Sequence, residues 1–186
     1  MPLDKKFPGH LLVSNPTNPR DNLYNSVILL LNHTKDTAVG LQINNPLESM
    51  NLEDISASSN IDYPNTSDTV FLGGNNAVNK IHIIHSLDWF GRSTMSLNDE
   101  LAITSDTSIL LALSEGRGPS QFRACAGHWH WYNGMLDRML NDKDKSVSHR
   151  WLVAPSTSDI IFTGQGDDQW TAALELAAHH QVSNWF

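Results

Sequence analysis

The chain has 186 residues, 40% of them apolar, and a net charge of −8 with histidine counted neutral. That length can bury a core without disulfide or metal staples, and the acidic balance disfavours direct binding to nucleic acid or anionic membrane, which both need clustered Lys and Arg. A lone cysteine excludes an internal disulfide, and no apolar run reaches the roughly 20 residues of a membrane span.

The start, MPLDKKFPGH, lacks the apolar stretch of a secretion signal. A cytoplasmic location, no membrane contact and one domain over residues 1–186 are expected. Residues 10–13 read as an edge strand stopped by Asn15-Pro16, because proline removes a ladder donor. The polar segment 16–25, with Arg20 and Asp21, reads as a loop. SVILLLN (26–32) is too short for a membrane helix and reads as a strand buried on both faces. AVGLQIN (38–44) follows after five residues, the spacing of a hairpin. Gly40 inside it marks a bulge or a close backbone approach.

Residues 47–55 suit a short helix with Asn51 as cap and Leu52 and Ile55 inward, and 56–68 a surface loop. A strand over 69–72 is expected to break at Gly73-Gly74-Asn75. Paired glycines can turn backbone N–H groups toward an anion, but the spacing of a phosphate loop is missing, so a plain turn is preferred. In IHIIH (81–85), Ile81, Ile83 and His85 share one face and His82 and Ile84 the other, so the two histidines point apart. A polar loop (88–99), a short strand (101–103) and a helix through Ile109, Leu110 and Leu113, capped by Asp106 or Thr104 and ending at Gly116, come next. A mixed-charge loop is read over 141–148, then a strand at 151–154, an apolar anchor at 160–162, and a final helix with Trp170, Ala173, Leu174 and Ala177 on its inner face.

The stretch 122–140, FRACAGHWHWYNGMLDRML, holds the densest set of chemical side chains. Read as a strand, it places Phe122, Ala124, Ala126, His128 and His130 on one side and Arg123, Cys125, Trp129 and Trp131 on the other. Asn133-Gly134 suits a reversal into an amphipathic helix carrying Met135, Leu136, Met139 and Leu140. Two imidazoles at i and i+2 can reach one metal ion, but no third ligand lies nearby, so rings capping the sheet end are the preferred reading. Cys125 reads as a buried small hydrophobe, with Arg123 two residues away as the one neighbour that favours a thiolate.

The order of pieces resembles the YqgE/AlgH family. The pieces are LLVSNP, SVILLLNH…AVGLQINNP with His33, Gly40 and Asn44, VFLGG with Gly73 and Gly74, LAITSD, AGHWHWYNGMLD, and DIIF before the last helix. Together they run from about His10 to Leu176. Asn75 stands where the family usually has proline, His130 and Tyr132 replace small residues, and Asn25 replaces a common arginine. The resemblance implies an α+β fold with a mixed, partly folded-over β-sheet and packed helices. It also implies a link to transcriptional regulation, including alginate production, with no general reaction.

The functional expectation is a regulatory or interaction protein that binds a small molecule or a protein partner, without reading DNA directly. No helix-turn-helix pattern and no basic recognition stripe appear. Gly73, Gly74, Asn75, His128, His130, Trp131 and Gly134 are the candidate ligand-binding residues; no catalytic residue, metal or cofactor is assigned. The alternative is a metal- or His-dependent hydrolase using the 127–137 turn with Asp137. It lacks HExxH, a nucleophile elbow and paired Cys-x-x-Cys motifs.

Overall fold

The computed structural model describes residues 7–16, 22–65, 68–140 and 149–183. The expected loops around Arg20 and Asp21 and over 141–148 lie outside these residues. The first strand, β1 (His10–Pro16), pairs antiparallel with β2 (Val27–His33), and β2 with β3 (Thr37–Gln42). β-branched and leucine side chains fill β2 on both faces, with Val27, Ile28, Leu29 and Leu30 fully buried. A Cβ on Gly40 would sit 2.6 Å from Ile28 Cγ2 and 3.3 Å from Trp131, so the glycine permits a close layer approach.

Residues 46–51 form a strand, β4 (Pro46–Asn51), instead of the expected start of a helix. The helix α1 (Leu52–Ser58) begins one residue later. Asn51 is its cap as expected: its side chain accepts from Asp54 N at 2.9 Å, and Asp54 Oδ2 accepts from Asn51 N at 3.1 Å. β5 (Thr69–Leu72) pairs with β4 and leads into β6 (Asn76–Ser86). The expected polar loop 88–99 contains a two-residue strand, β7 (Met95–Ser96), beside β8 (Leu101–Thr104). The cap of α2 (Ser108–Ser114) is Thr107, not the expected Asp106 or Thr104, and its side chain makes no capping bond. Asp106 Oδ1 accepts from Ser108 N at 2.9 Å, and Gly116 adopts φ +67° just past the helix end.

The long strand β9 (Phe122–Tyr132) runs through Asn133 and Gly134, both at positive φ, into α3 (Met135–Leu140). The chain closes with β10 (His149–Pro155), α4 (Ser158–Phe162) and α5 (Gly166–Ser183). The sheet order is β10-β1-β2-β3-β9-β6-β8-β7, with β5 joined to β9 and β4 to β5. Among the described residues only the β5·β9 pair is parallel, so this is an α+β fold built on a mixed sheet. β1 is an interior strand and not an edge, because β10 covers its outer side from Pro155 back to His149.

Three hydrophobic clusters stabilise the fold. α5 sets Ala173 and Ala177 against Leu11, Val13 and Leu29 in the first, and Trp170 Nε1 donates to Ser14 O at 2.7 Å. The second gathers Leu12, Ile28, Leu30, Trp131 and Leu136. The third packs Leu52, Ile109 and Leu110 against Ile83, Ala124 and Ala126. β9 feeds all three through Cys125, Trp131 and its alanines. Among the described residues no helix is long and apolar enough to cross a membrane.

Candidate functional site

The glycine segments singled out in the sequence do come together, but as packed backbone. Gly73 and Gly74 are buried, lie outside any assigned turn and are not at positive φ. Gly73 N donates to Ala126 O at 2.8 Å. A Cβ on Gly73 would lie 2.4 Å from Gly127 O, one on Gly74 2.1 Å from His128 C, and one on Gly127 2.6 Å from Gly74 O. Main chain therefore lies against main chain with no room for a side chain, which is a reason for glycine distinct from turn chemistry. Asn75, next along, is exposed.

Gly127 sits at φ +72°, and opposite it β6 carries extra residues: Asn76 faces His128 while Ile81 faces Ala126. The left-handed Gly127 opposite this bulge interrupts the side-chain alternation of β9. As a result the His128 ring meets His82, the register partner of Cys125, edge to face at 5.7 Å. His130 follows at 6.2 Å, and Tyr132 stacks on His130 with centroids 3.8 Å apart. A ladder of four rings thus runs along β9, buried at His82, half-buried at His128 and His130, and exposed at Tyr132.

Hydrogen bonds hold the His82 and His130 rings and the backbone at His128. Thr37 Oγ1 and His130 Nε2 are 2.6 Å apart, and Asn76 Nδ2 donates to His128 O at 3.3 Å. His82 Nδ1 lies 2.8 Å from Ser105 Oγ. That serine and histidine meet only because β6 and β8 are neighbours, and neither residue stood out as a pair in the sequence. Burial pushes the His82 imidazole down to about 4, with Lys80 and His128 acting in the same direction. Burial also lowers His128, followed by His130 and Lys80. His82 is therefore a neutral ring at physiological pH and a weak base. No carboxylate orients its Nε2, which is buried without a hydrogen bond, so the pair lacks the third member of an activated nucleophile.

The other candidates lie apart from the ladder. Trp131 is turned into the second cluster, and Gly134 backs onto the β2–β3 turn, its N–H donating to Asp36 O at 3.1 Å. Asp137 meets His33 Nε2 at 2.9 Å. The expected hydrolase grouping of His128, His130 and Asp137 is thereby dissolved, since the acid serves a different histidine. No group of three His, Cys, Asp or Glu side chains is arranged to hold a metal ion among the described residues. Cys125 is fully buried and its thiol is raised to about 12 by that burial, against the opposing pull of Arg123. Arg123 does not activate it, because the guanidinium reaches past it to Ile43 O at 2.6 Å and Gly164 O at 3.0 Å.

Two open clefts flank the central strands. One, of about 250 Å³, lies between α1 and α2 and is lined by Ile55, Lys80, Ser105, Asp106 and Ile109 among others. The other, of about 400 Å³, opens where β5 and β9 begin, beside the α4–α5 connection.

The AlgH-like family model matches residues 11–181, nearly the whole chain. The chain belongs to the AlgH-like family. A UPF0301 protein of Methylococcus capsulatus is 32% identical over 174 residues, covering 91% of this chain and 90% of that one. One of Sphingopyxis alaskensis is 30% identical over 172 residues, covering 92% and 89%, so the likeness is end to end. The solution structure of AlgH from Pseudomonas aeruginosa matches with a TM-score of 0.76 at 24% identity, over 95% of this chain and 91% of that one. A crystal structure of a Corynebacterium diphtheriae protein matches at 0.72 and 18% identity, over 94% and 89%. At those identities the two structures establish the AlgH-like fold and nothing of activity.

Proposed function

We propose that this AlgH-like chain is a regulatory binding protein of the cytoplasm, which takes a small planar ligand on the ring ladder and influences transcription without reading DNA itself. The observation that carries the reading is the row His82, His128, His130 and Tyr132. Its inner end is buried and hydrogen-bonded and its outer end is open to solvent. Flat, partly wet rings fixed by second groups are a preorganised surface for stacking, with imidazole nitrogens available to give direction. The absence of an oriented base and the net charge of −8 weigh against catalysis at this row and against phosphate-backbone binding.

The test is a titration of isotope-labelled protein with a panel of heteroaromatic small molecules, following the His128 and His130 ring resonances. Saturable shifts in the wild type, lost in a His130→Ala/Tyr132→Ala double variant, are expected. An unresponsive ladder, or shifts that survive the double variant, refutes the reading. Salt-dependent binding to duplex DNA would refute its second half.

A further inference from the structure

At the far end of β9 from the ladder, Arg123 is 5% exposed, and the oxygens bonded to its guanidinium are all neutral. Nη1 donates to Ile43 O at 2.6 Å and to Gln169 Oε1 at 3.3 Å; Nη2 donates to Gly164 O at 3.0 Å. A guanidinium has five N–H donors. Three are used here, and Nε is buried without a hydrogen bond, which leaves Nε–H and one Nη2–H. Among the described residues no carboxylate forms an ion pair with Arg123, so none neutralises this buried cation. Buried charges are ordinarily paired, because an unpaired one is costly.

The guanidinium is also held in place. Its Cζ lies 4.0 Å from the centroid of the Phe71 ring, a cation–π contact that fixes its position. Arg123 lines the open cleft of about 400 Å³ together with Phe122, Phe162, Thr69, Gln165 and Asp68. That volume falls within the roughly 300–1,000 Å³ of small-molecule sites; the lining is mainly polar, with Phe71, Phe122 and Phe162 as its apolar wall.

We propose that this cleft binds a small organic monocarboxylate, its apolar body against Phe122 and Phe162 and its carboxylate forked on Nε and Nη2 of Arg123. The planar, two-oxygen carboxylate matches the two adjacent donors that remain. Asp68, on the same lining, accepts from the Tyr63 hydroxyl at 2.5 Å. Its negative charge disfavours a doubly charged phosphate more than a single carboxylate.

Arg123 holds Ile43 and Gly164 as well, so replacing it disturbs the fold and gives no clean test. The experiment instead follows the Arg123 Nε–H resonance of the wild type titrated with benzoate, with its neutral isostere benzamide, and with inorganic phosphate. The same benzoate titration is run on Gln165→Glu, an exposed rim position that places a repelling charge beside the cleft without touching the core. A saturable benzoate shift, none with benzamide, and binding weakened roughly threefold or more in Q165E are expected. No saturable shift at Arg123, equal response to benzamide, unchanged affinity in Q165E, or phosphate binding more tightly than benzoate each overturns the assignment. None of these outcomes depends on the ring ladder.

Discussion

Replacing Gly74 with alanine tests whether the paired glycines serve packing or a turn. The added Cβ would stand 2.1 Å from His128 C, 2.4 Å from His128 O and 2.4 Å from Trp129 N, all atoms of the β9 main chain. Ordinary contact begins near 3.4 Å, so the two backbones must part by more than an ångström. That separation breaks the 2.8 Å bond from Gly73 N to Ala126 O and the 3.3 Å bond from Asn76 Nδ2 to His128 O, and it strains the bond from Gln42 N to Gly73 O. At about 1 kcal/mol for each lost bond, plus forfeited dispersion, the cost is about 3 kcal/mol. Against a typical total of about 5–15 kcal/mol this is a large fraction.

Gly116→Ala is the matched control. Unlike Gly74, that glycine lies in the left-handed region, at φ +67°, and a Cβ there meets nothing within 4 Å, so only the conformational penalty of about 1–2 kcal/mol applies. Urea denaturation followed by tryptophan fluorescence compares the two. A Gly74→Ala midpoint equal to or above that of Gly116→Ala refutes the close-approach account and restores the turn reading.

Acid should weaken the fold through its buried histidines. His82 stays neutral down to about pH 4 in the folded chain, while a free imidazole titrates at 6.5, so between those values the unfolded chain binds more protons. Stability therefore falls as pH drops from 6.5 toward 4, by up to about 3 kcal/mol from this one ring. His85 and His128, also lowered chiefly by burial, act in the same direction. Urea midpoints at pH 7.5 and 4.5 should differ less in His82→Gln than in wild type; an equal difference in both would exonerate His82. Asn51→Ala removes one half of a capping box and should cost about 1 kcal/mol by the same melts; no loss would mean that β4 alone fixes the start of α1. Cys125, buried and with its thiol pushed up, should resist a thiol reagent until urea unfolds the chain. Rapid labelling of the native protein would contradict its placement.

Local signals carried much of the architecture. The apolar runs of β2 and β3, the Asn51 cap, the hand-off from β9 to α3 and the inner face of α5 all follow from neighbours within a few residues, where periodicity and capping act. What was missed depends on distant partners. β1 looks like an edge strand until β10, some 140 positions later, pairs along it. β4 carries Glu48 and Ser49 and reads as polar helix-start chemistry, yet the sheet claims it through β5. Gly73 and Gly74 were recognised as special, but glycine at a crowded crossing and glycine in a turn look alike in sequence. Simple alternation puts His128 and His130 on the face of Ala126, but past the left-handed Gly127 the His128 ring meets His82, the register partner of Cys125. In sequence Arg123 neighbours Cys125, two residues away, but its partners Ile43, Gly164 and Gln169 lie about 40 or more positions off.

β9 contributes to every hydrophobic cluster while pairing with β3, β5 and β6. Severing the chain just ahead of it would also remove β10 from β1, leaving an N-terminal fragment with four strand borders uncovered at once, a template for self-association. The C-terminal fragment would carry a strand with nothing to lie against. Neither portion retains a finished interior, so such a split protein should recover only when both parts are present together, and its reassembly should be all-or-none.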